Sequence, residues 1–175
     1  ESYDFLILSP GAEPLRPPIE GIDSDRIFTL RTIPDMDAID AFIRSARPRR
    51  AVVVGAGYIG LEMAENLRDR GMLTAIAEMA PSVMPTALDP EMACFIENHL
   101  EEKSVALWLE DAVAAFEDTG QSLNVRLRSG MVLNCDFAVF SAGVRPETRL
   151  AKEAGLKIGP RGGIEVNENL LTSDP

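Results

Sequence analysis

The chain has 175 residues, 46% hydrophobic and 26% charged, which is enough for one domain with a real core and too little for two of ordinary size. A formal net charge of -11 argues against nucleic acid or an anionic membrane surface as a partner, since both demand a basic footprint, and no run is apolar enough to cross a bilayer. The two cysteines, Cys94 and Cys135, lie far apart and outside any CxxC or metal-ligand spacing, so neither a zinc site nor a disulfide framework is expected and a cytoplasmic location fits.

Residues 3 to 8 (YDFLIL) form an apolar run closed by the breakers of SPGAEPLRPPIEG and read as a buried strand followed by a Pro-rich connection. The opening lacks a basic region and a small-residue cleavage site, so it is not expected to be a signal peptide. Residues 35 to 46 place Met36, Ile39, Phe42 and Ile43 at helical spacing behind Asp35 and Asp37, where the helix dipole favours negative charge. Arg44, Arg47, Arg49 and Arg50 are the only basic cluster and read as a solvated loop.

AVVVG at 51 to 55 is β-branched and apolar throughout, as a strand covered on both faces should be. YIGLEMAENLRDR continues as a helix with Ile59, Met63 and Leu67 on one side and Gly71 as its stop, and LTAIAE at 73 to 78 is the next strand. Asp89 and Pro90 then suit the N-cap and first position of a helix carrying Met92, Phe95, Ile96 and Leu100 on one face. VALWL at 105 to 109 returns to the sheet. Three short segments follow, AVAAFE, SLNVRLR and MVLNCDF, separated by hairpin signals at Asp118-Thr119-Gly120 and Ser129-Gly130. FAVFSAG at 137 to 143 is again strand-like, and ETRLAKEAG at 147 to 155 is a short helix. The fold class expected is therefore α/β: a Rossmann-like parallel sheet flanked by helices, with an inserted three-stranded antiparallel meander.

Gly55-Ala56-Gly57-Tyr58-Ile59-Gly60 fits GxGxxG. The string begins where a predicted strand ends, opens a predicted helix, and is followed by Glu78 at the end of the next strand, a context that points to the ADP half of a dinucleotide. Gly55 permits the tight turn, Gly57 lets backbone approach the pyrophosphate, and Gly60 allows the helix to pack on the strand. The phosphates would sit on free N–H groups at the helix start. Glu78 would accept hydrogen bonds from the adenosine ribose and repel a 2′-phosphate, so NADH is preferred over NADPH.

With these residues in place, the chain resembles the flavin-dependent pyridine nucleotide-disulfide oxidoreductases, in the branch of NADH oxidase, NADH peroxidase and coenzyme A disulfide reductase. YDFLILSPGAEP, RRAVVVGAGYIGLEMAENL, VMPTALDPEM, FAVFSAGVRPET and GGIEVNENLLTSDP carry the likeness over nearly the whole length. It implies an NAD(P)-binding domain over 31 to 160, set between a segment arriving from an FAD domain (1 to 30) and one returning to it (161 to 175). Where the family has Ala-Thr-Gly this chain has Ser9-Pro10-Gly11, and Pro10 lacks both the hydroxyl and the backbone donor. The likeness further implies that Glu62 lies near nicotinamide and flavin, that Tyr58 shields the flavin until NADH arrives, and that Gly143 faces the nicotinamide half; Ile59 lies within the GxGxxG string and is counted among the cofactor-binding residues.

Only one GxGxxG is present, and neither cysteine nor His99 sits in a redox or acid–base motif. The resemblance thus implies an NADH-binding domain of a homodimeric parent enzyme that passes a hydride to FAD and electrons on to a disulfide, oxygen, peroxide or redox protein, the domain alone binding without turnover. A self-contained NAD-dependent dehydrogenase, a non-catalytic nucleotide sensor, and a GxGxxG that holds FAD itself stay open as alternatives.

Overall fold

The computed structural model describes residues 3–174. In chain order its elements are β1 (Ala12–Pro14), β2 (Ile27–Phe28), α1 (Ile33–Ala46), β3 (Arg50–Val54), α2 (Tyr58–Asp69), β4 (Leu73–Ala77), α3 (Pro90–Glu102), β5 (Ala106–Trp108), β6 (Val113–Asp118), β7 (Leu123–Leu127), β8 (Val132–Cys135), β9 (Phe137–Phe140), β10 (Val144–Pro146) and α4 (Arg149–Glu153). They divide into two compact units. One is Pro14–Gly143; the other joins the residues up to Glu13 with those from Val144 onward.

In the larger unit a five-stranded sheet runs in the order β2-β9-β3-β4-β5, every pairing parallel. Alternation along β3 shows how it is covered. Ala51 and Val53 belong to a cluster with Ile39, Met63, Leu67, Ala93 and Leu100, from α1, α2 and α3. Val52 and Val54 face the other way, onto Val113, Phe116, Leu123, Val125 and Leu127 of the separate antiparallel sheet β6-β7-β8. The sandwich is thus helices, parallel sheet, meander. Handedness accounts for it: the steps from β2 to β3, β3 to β4 and β4 to β5 all progress across the sheet in one sense, so right-handed crossovers lay all three helices on one face. The step from β5 to β9 goes back past β3, and the same rule puts its connection, the meander, on the opposite face.

Local chemistry sets the element ends. Thr32 caps α1 in a capping box with Asp35, with Pro34 in the first turn, and Asp89 caps α3 by accepting the Met92 N–H at 2.9 Å. The helices run close to where periodicity puts them, and so do the three hairpin strands. Two elements differ from expectation. Residues 3 to 8 form no strand, and Phe5 and Ile7 are 93% and 89% exposed; apolar content favours a strand only where a neighbouring strand completes its ladder, and none among the described residues does. Ile27–Phe28, inside the Pro-rich connection, instead forms the edge strand beside β9, because Phe28 stacks with Phe42 and Phe137 at centroid distances of 5.3 and 6.0 Å.

In the smaller unit β1 and β10 form a two-stranded sheet, with Arg145 and Glu13 paired at 3.1 Å. Helix α4 ends at Gly155, whose φ of +75° stops it, and a bridge joins Ile158 to Ile164.

Candidate dinucleotide site

Because the sheet is parallel, the C-terminal ends of β9, β3 and β4 lie along one edge. Chain order reverses there: β4 and β5 lie to one side of β3, and β9 to the other. Such a switch point leaves a crevice beyond the strand ends where open α/β sheets bind ligands. The Gly55 to Gly60 turn leaves β3 into this crevice.

The fold itself requires two of the three glycines. Gly55 has φ +105°, and a Cβ there would lie 2.6 Å from the Ser141 carbonyl oxygen, so both backbone angle and space demand glycine. At Gly60 a Cβ would come within 2.0 Å of the Gly55 oxygen, which is how α2 packs against the turn. Gly57 answers to neither demand. Its φ is -80° and a Cβ added there meets nothing within 4 Å, so the surface it leaves bare faces open space. Gly57 is also the N-cap of α2 and offers no side-chain cap. Among the described residues the N–H groups of Gly57, Tyr58, Ile59 and Gly60 have no hydrogen-bond acceptor, the usual state of a first helical turn left for a ligand. An open backbone cradle with four free donors fits a pyrophosphate.

Glu78 directly follows β4 beside the turn and is buried, with 9% of its surface exposed. Its two carboxylate oxygens accept the Ala56 N–H at 2.7 Å and the Ala80 N–H at 2.8 Å. The Glu78 N–H donates to the Trp108 carbonyl at 2.8 Å. The sequence places Glu78 next to a ribose; the structure adds that the same carboxylate ties the Gly-rich turn to the segment after β4. A further tie is the Met84 N–H, which donates to the Ala56 carbonyl at 2.9 Å.

Beyond β9, Ser141 fastens the other side of the crevice. Its N–H donates to the Val54 carbonyl at 2.8 Å, and its Oγ lies 3.1 Å from the same oxygen and 3.4 Å from that of Gly55. Gly143, with φ +112°, is exposed two residues on, and its carbonyl accepts the Leu15 N–H at 2.9 Å. The structure thus brings Gly55, Gly57, Gly60 and Glu78 together and sets Gly143 on the loop beyond β9. Tyr58 is 69% exposed on the first turn of α2. Ile59 and Glu62 line a hollow of about 220 Å³ between α1 and α2 with Leu30, Met36 and Ile39.

Sequence reasoning missed Ser141 and the Glu78–Ala56 bond. The motif names glycines and an acid, whereas these ties join side chains to backbone across 86 and 22 positions. Cys135 is fully buried, burial pushing its thiol up to about 12, and Cys94 is exposed on α3. The described residues contain no cluster of potential metal ligands and no helix long and apolar enough to cross a membrane.

Known proteins are similar to this chain over nearly its whole length. The NADH oxidase of Methanocaldococcus jannaschii is 42% identical over 174 residues, covering 99% of this chain and 38% of that protein. Coenzyme A disulfide reductase of Staphylococcus aureus is 33% identical over 175 residues, covering 100% of this chain and 38% of that one. Among solved structures, reduced Bacillus anthracis CoADR-RHD superposes with a TM-score of 0.94 at 50% identity, over 100% of this chain and 31% of that chain. The water-forming NADH oxidase of Lactobacillus brevis bound to NADH does so with a TM-score of 0.89 at 32% identity, over 100% of this chain and 38% of that chain. The chain spans less than two fifths of the length of these relatives. The family model for pyridine nucleotide-disulphide oxidoreductases matches residues 1–175, and the chain belongs to that family.

Proposed function

We propose that this chain is the NADH-binding part of a flavin-dependent oxidoreductase. The observation that carries the reading is Gly57: neither its φ nor any neighbouring atom requires a glycine, so the bare position is explained by a ligand that must approach the backbone there. The N–H groups of Gly57 to Gly60 would hold the pyrophosphate, concentrating partial positive charge on it without any basic side chain. Each Glu78 oxygen already accepts one N–H and keeps a further lone pair for a ribose hydroxyl. A 2′-phosphate at that position would meet a carboxylate in a poorly hydrated setting, so NADH binds better than NADPH.

Bound NADH supplies a hydride, which in the parent enzyme passes to FAD and from there to a disulfide, oxygen, peroxide or redox protein. By family resemblance Glu62 lies near the nicotinamide and flavin, Gly143 faces the nicotinamide half, and Tyr58 shields the flavin until NADH arrives. FAD is held by chain outside these residues, since the single GxGxxG is committed to the dinucleotide crevice. The parent is a cytoplasmic homodimer. On this reading the 175-residue chain binds NADH, carries no flavin colour and does not oxidise NADH by itself. A fluorescence titration of the purified chain with NADH and NADPH tests it. Saturable NADH binding with weaker NADPH binding is expected; a yellow protein that oxidises NADH rapidly, or one that binds neither nucleotide, overturns it.

A further inference from the structure

Gly55 and Gly60 touch: a Cβ on Gly60 would lie 2.0 Å from the Gly55 carbonyl oxygen and 2.9 Å from Ser141 Oγ. The Ser141 hydroxyl therefore sits at the point where β9, the turn and the first coil of α2 converge. It has one proton. The nearest acceptors are the carbonyls of Val54 at 3.1 Å and Gly55 at 3.4 Å. The Val54 oxygen already accepts the Ser141 N–H at 2.8 Å, so its share of the hydroxyl is a second bond. The Gly55 oxygen has no other donor among the described residues. On its own side Gly55 is anchored through its N–H, which donates to the Ala77 carbonyl at 2.8 Å; its carbonyl shares a peptide plane with the Ala56 N–H, which donates to Glu78 at 2.7 Å, so the hydroxyl is a second tie on a plane that Glu78 holds from the other end.

We infer that Ser141 is a positioning residue for the phosphate cradle: its hydroxyl holds the Gly55 carbonyl while Glu78 holds the Ala56 N–H of the same peptide, and the two together aim the free N–H groups of Gly57 to Gly60 at one spot. The inference deepens the dinucleotide reading and rests on it. Ser141 also lies two residues before Gly143, on the strand end that faces the turn. A packing role alone would be served by any small side chain; a positioning role requires the hydroxyl and is felt only by ligands that place phosphate on the turn.

The test compares ADP with adenosine as ligands of the protein, by NMR or calorimetric titration, in the parent sequence, S141A and S141T. The ADP-to-adenosine affinity ratio isolates the phosphate contribution. For S141A this ratio should fall about fivefold, the worth of one neutral hydrogen bond, while adenosine affinity stays within about twofold and amide exchange at Gly57 to Gly60 quickens. S141T, which keeps the hydroxyl, should preserve the ratio. An unchanged ratio in S141A, or an equal fall in S141T, overturns the positioning role and leaves the dinucleotide reading standing. Failure of the parent sequence to favour ADP over adenosine overturns the dinucleotide reading and this inference with it.

Discussion

Replacing Glu78 with alanine removes a buried carboxylate that does two things at once. Its oxygens accept the Ala56 and Ala80 N–H groups at 2.7 and 2.8 Å. Hydrogen bonds to a charged group contribute about 1.5–3 kcal/mol each, and the two losses differ in how they are repaired. Ala80 is half-buried, so water can replace its acceptor; Ala56 is fully buried, and its donor stays unsatisfied at a cost of about 1–3 kcal/mol. The net destabilisation is about 2–4 kcal/mol, which lowers Tm by about 5–15 °C in a chain of this size. Loss of the ribose contacts weakens NADH binding by about 10- to 100-fold, and loss of the repulsive charge narrows the NADH-to-NADPH preference. Glu78→Gln separates the effects: one amide oxygen can satisfy Ala56 or Ala80 but not both, so its Tm falls between those of the parent and Glu78→Ala. A thermal melt followed by nucleotide titration reads all of this. If Glu78→Ala melts within about 1 °C of the parent, the carboxylate is not a structural tie. If NADH affinity is also unchanged, Glu78 is outside the site.

The glycines make a contrasting pair. Gly57→Ala adds a methyl where no protein atom lies, so stability should change by less than about 1 kcal/mol, reduced chain entropy offsetting a poorer N-cap, while NADH affinity drops at least about tenfold. Gly60→Ala drives its Cβ against the Gly55 carbonyl and should cost about 3 kcal/mol by overpacking; melts of the two variants check the difference. Burial alone would raise the Asp136 carboxyl, but the Arg49 and Arg50 N–H groups and the Arg50 guanidinium outweigh it and hold its pKa below the ordinary 3.8. A carboxylate held low stabilises the fold above its ordinary pKa and stops doing so as pH falls through the lowered value. Asp136→Asn should therefore be less stable than the parent at neutral pH, with the gap closing as denaturation is repeated down to about pH 2; a gap that persists there refutes the ionic account. With its thiol pushed up to about 12 by burial, Cys135 should resist a disulfide reagent in the native protein while exposed Cys94 reacts, giving one thiol titrated when folded and two in denaturant.

How much of this was legible in the sequence varies with how local the cause is. The helices α2 and α3 and strand β3 follow from periodicity, from Asp89 as a cap and from an unbroken β-branched run, all short-range signals. The Gly55, Gly57 and Gly60 pattern and Glu78 follow from a motif whose context is itself local. Residues 3 to 8 misled because an apolar run says that burial would be favourable without saying whether a partner strand is there to provide it. Ile27–Phe28 escaped notice for the opposite reason, being two residues long and dependent on a distant helix and strand for its aromatic contacts. Ser141 carries no signal at all in a single sequence: its role exists only once β9 lies beside β3.

Net charge and site charge are separate matters in this protein. The chain carries -11 overall, yet the ligand proposed for it is anionic. One group of basic residues lies at the wrong end to help: Arg26, Arg47 and Arg49 line a hollow of about 330 Å³ with Asp136, beside the start of β3, whereas the Gly-rich turn follows its end. Five strand residues, Arg50 to Val54, separate the two by about 13–17 Å at the usual rise, beyond a Debye length at physiological ionic strength. Screening therefore leaves the turn to its own resources, which are four backbone donors aimed the same way at a helix start. Because these donors are uncharged, they would hold the proposed pyrophosphate by position and not by attraction over distance. That makes the geometry of the turn, and so of Gly55, Glu78 and Ser141 which fix it, the quantity on which binding depends.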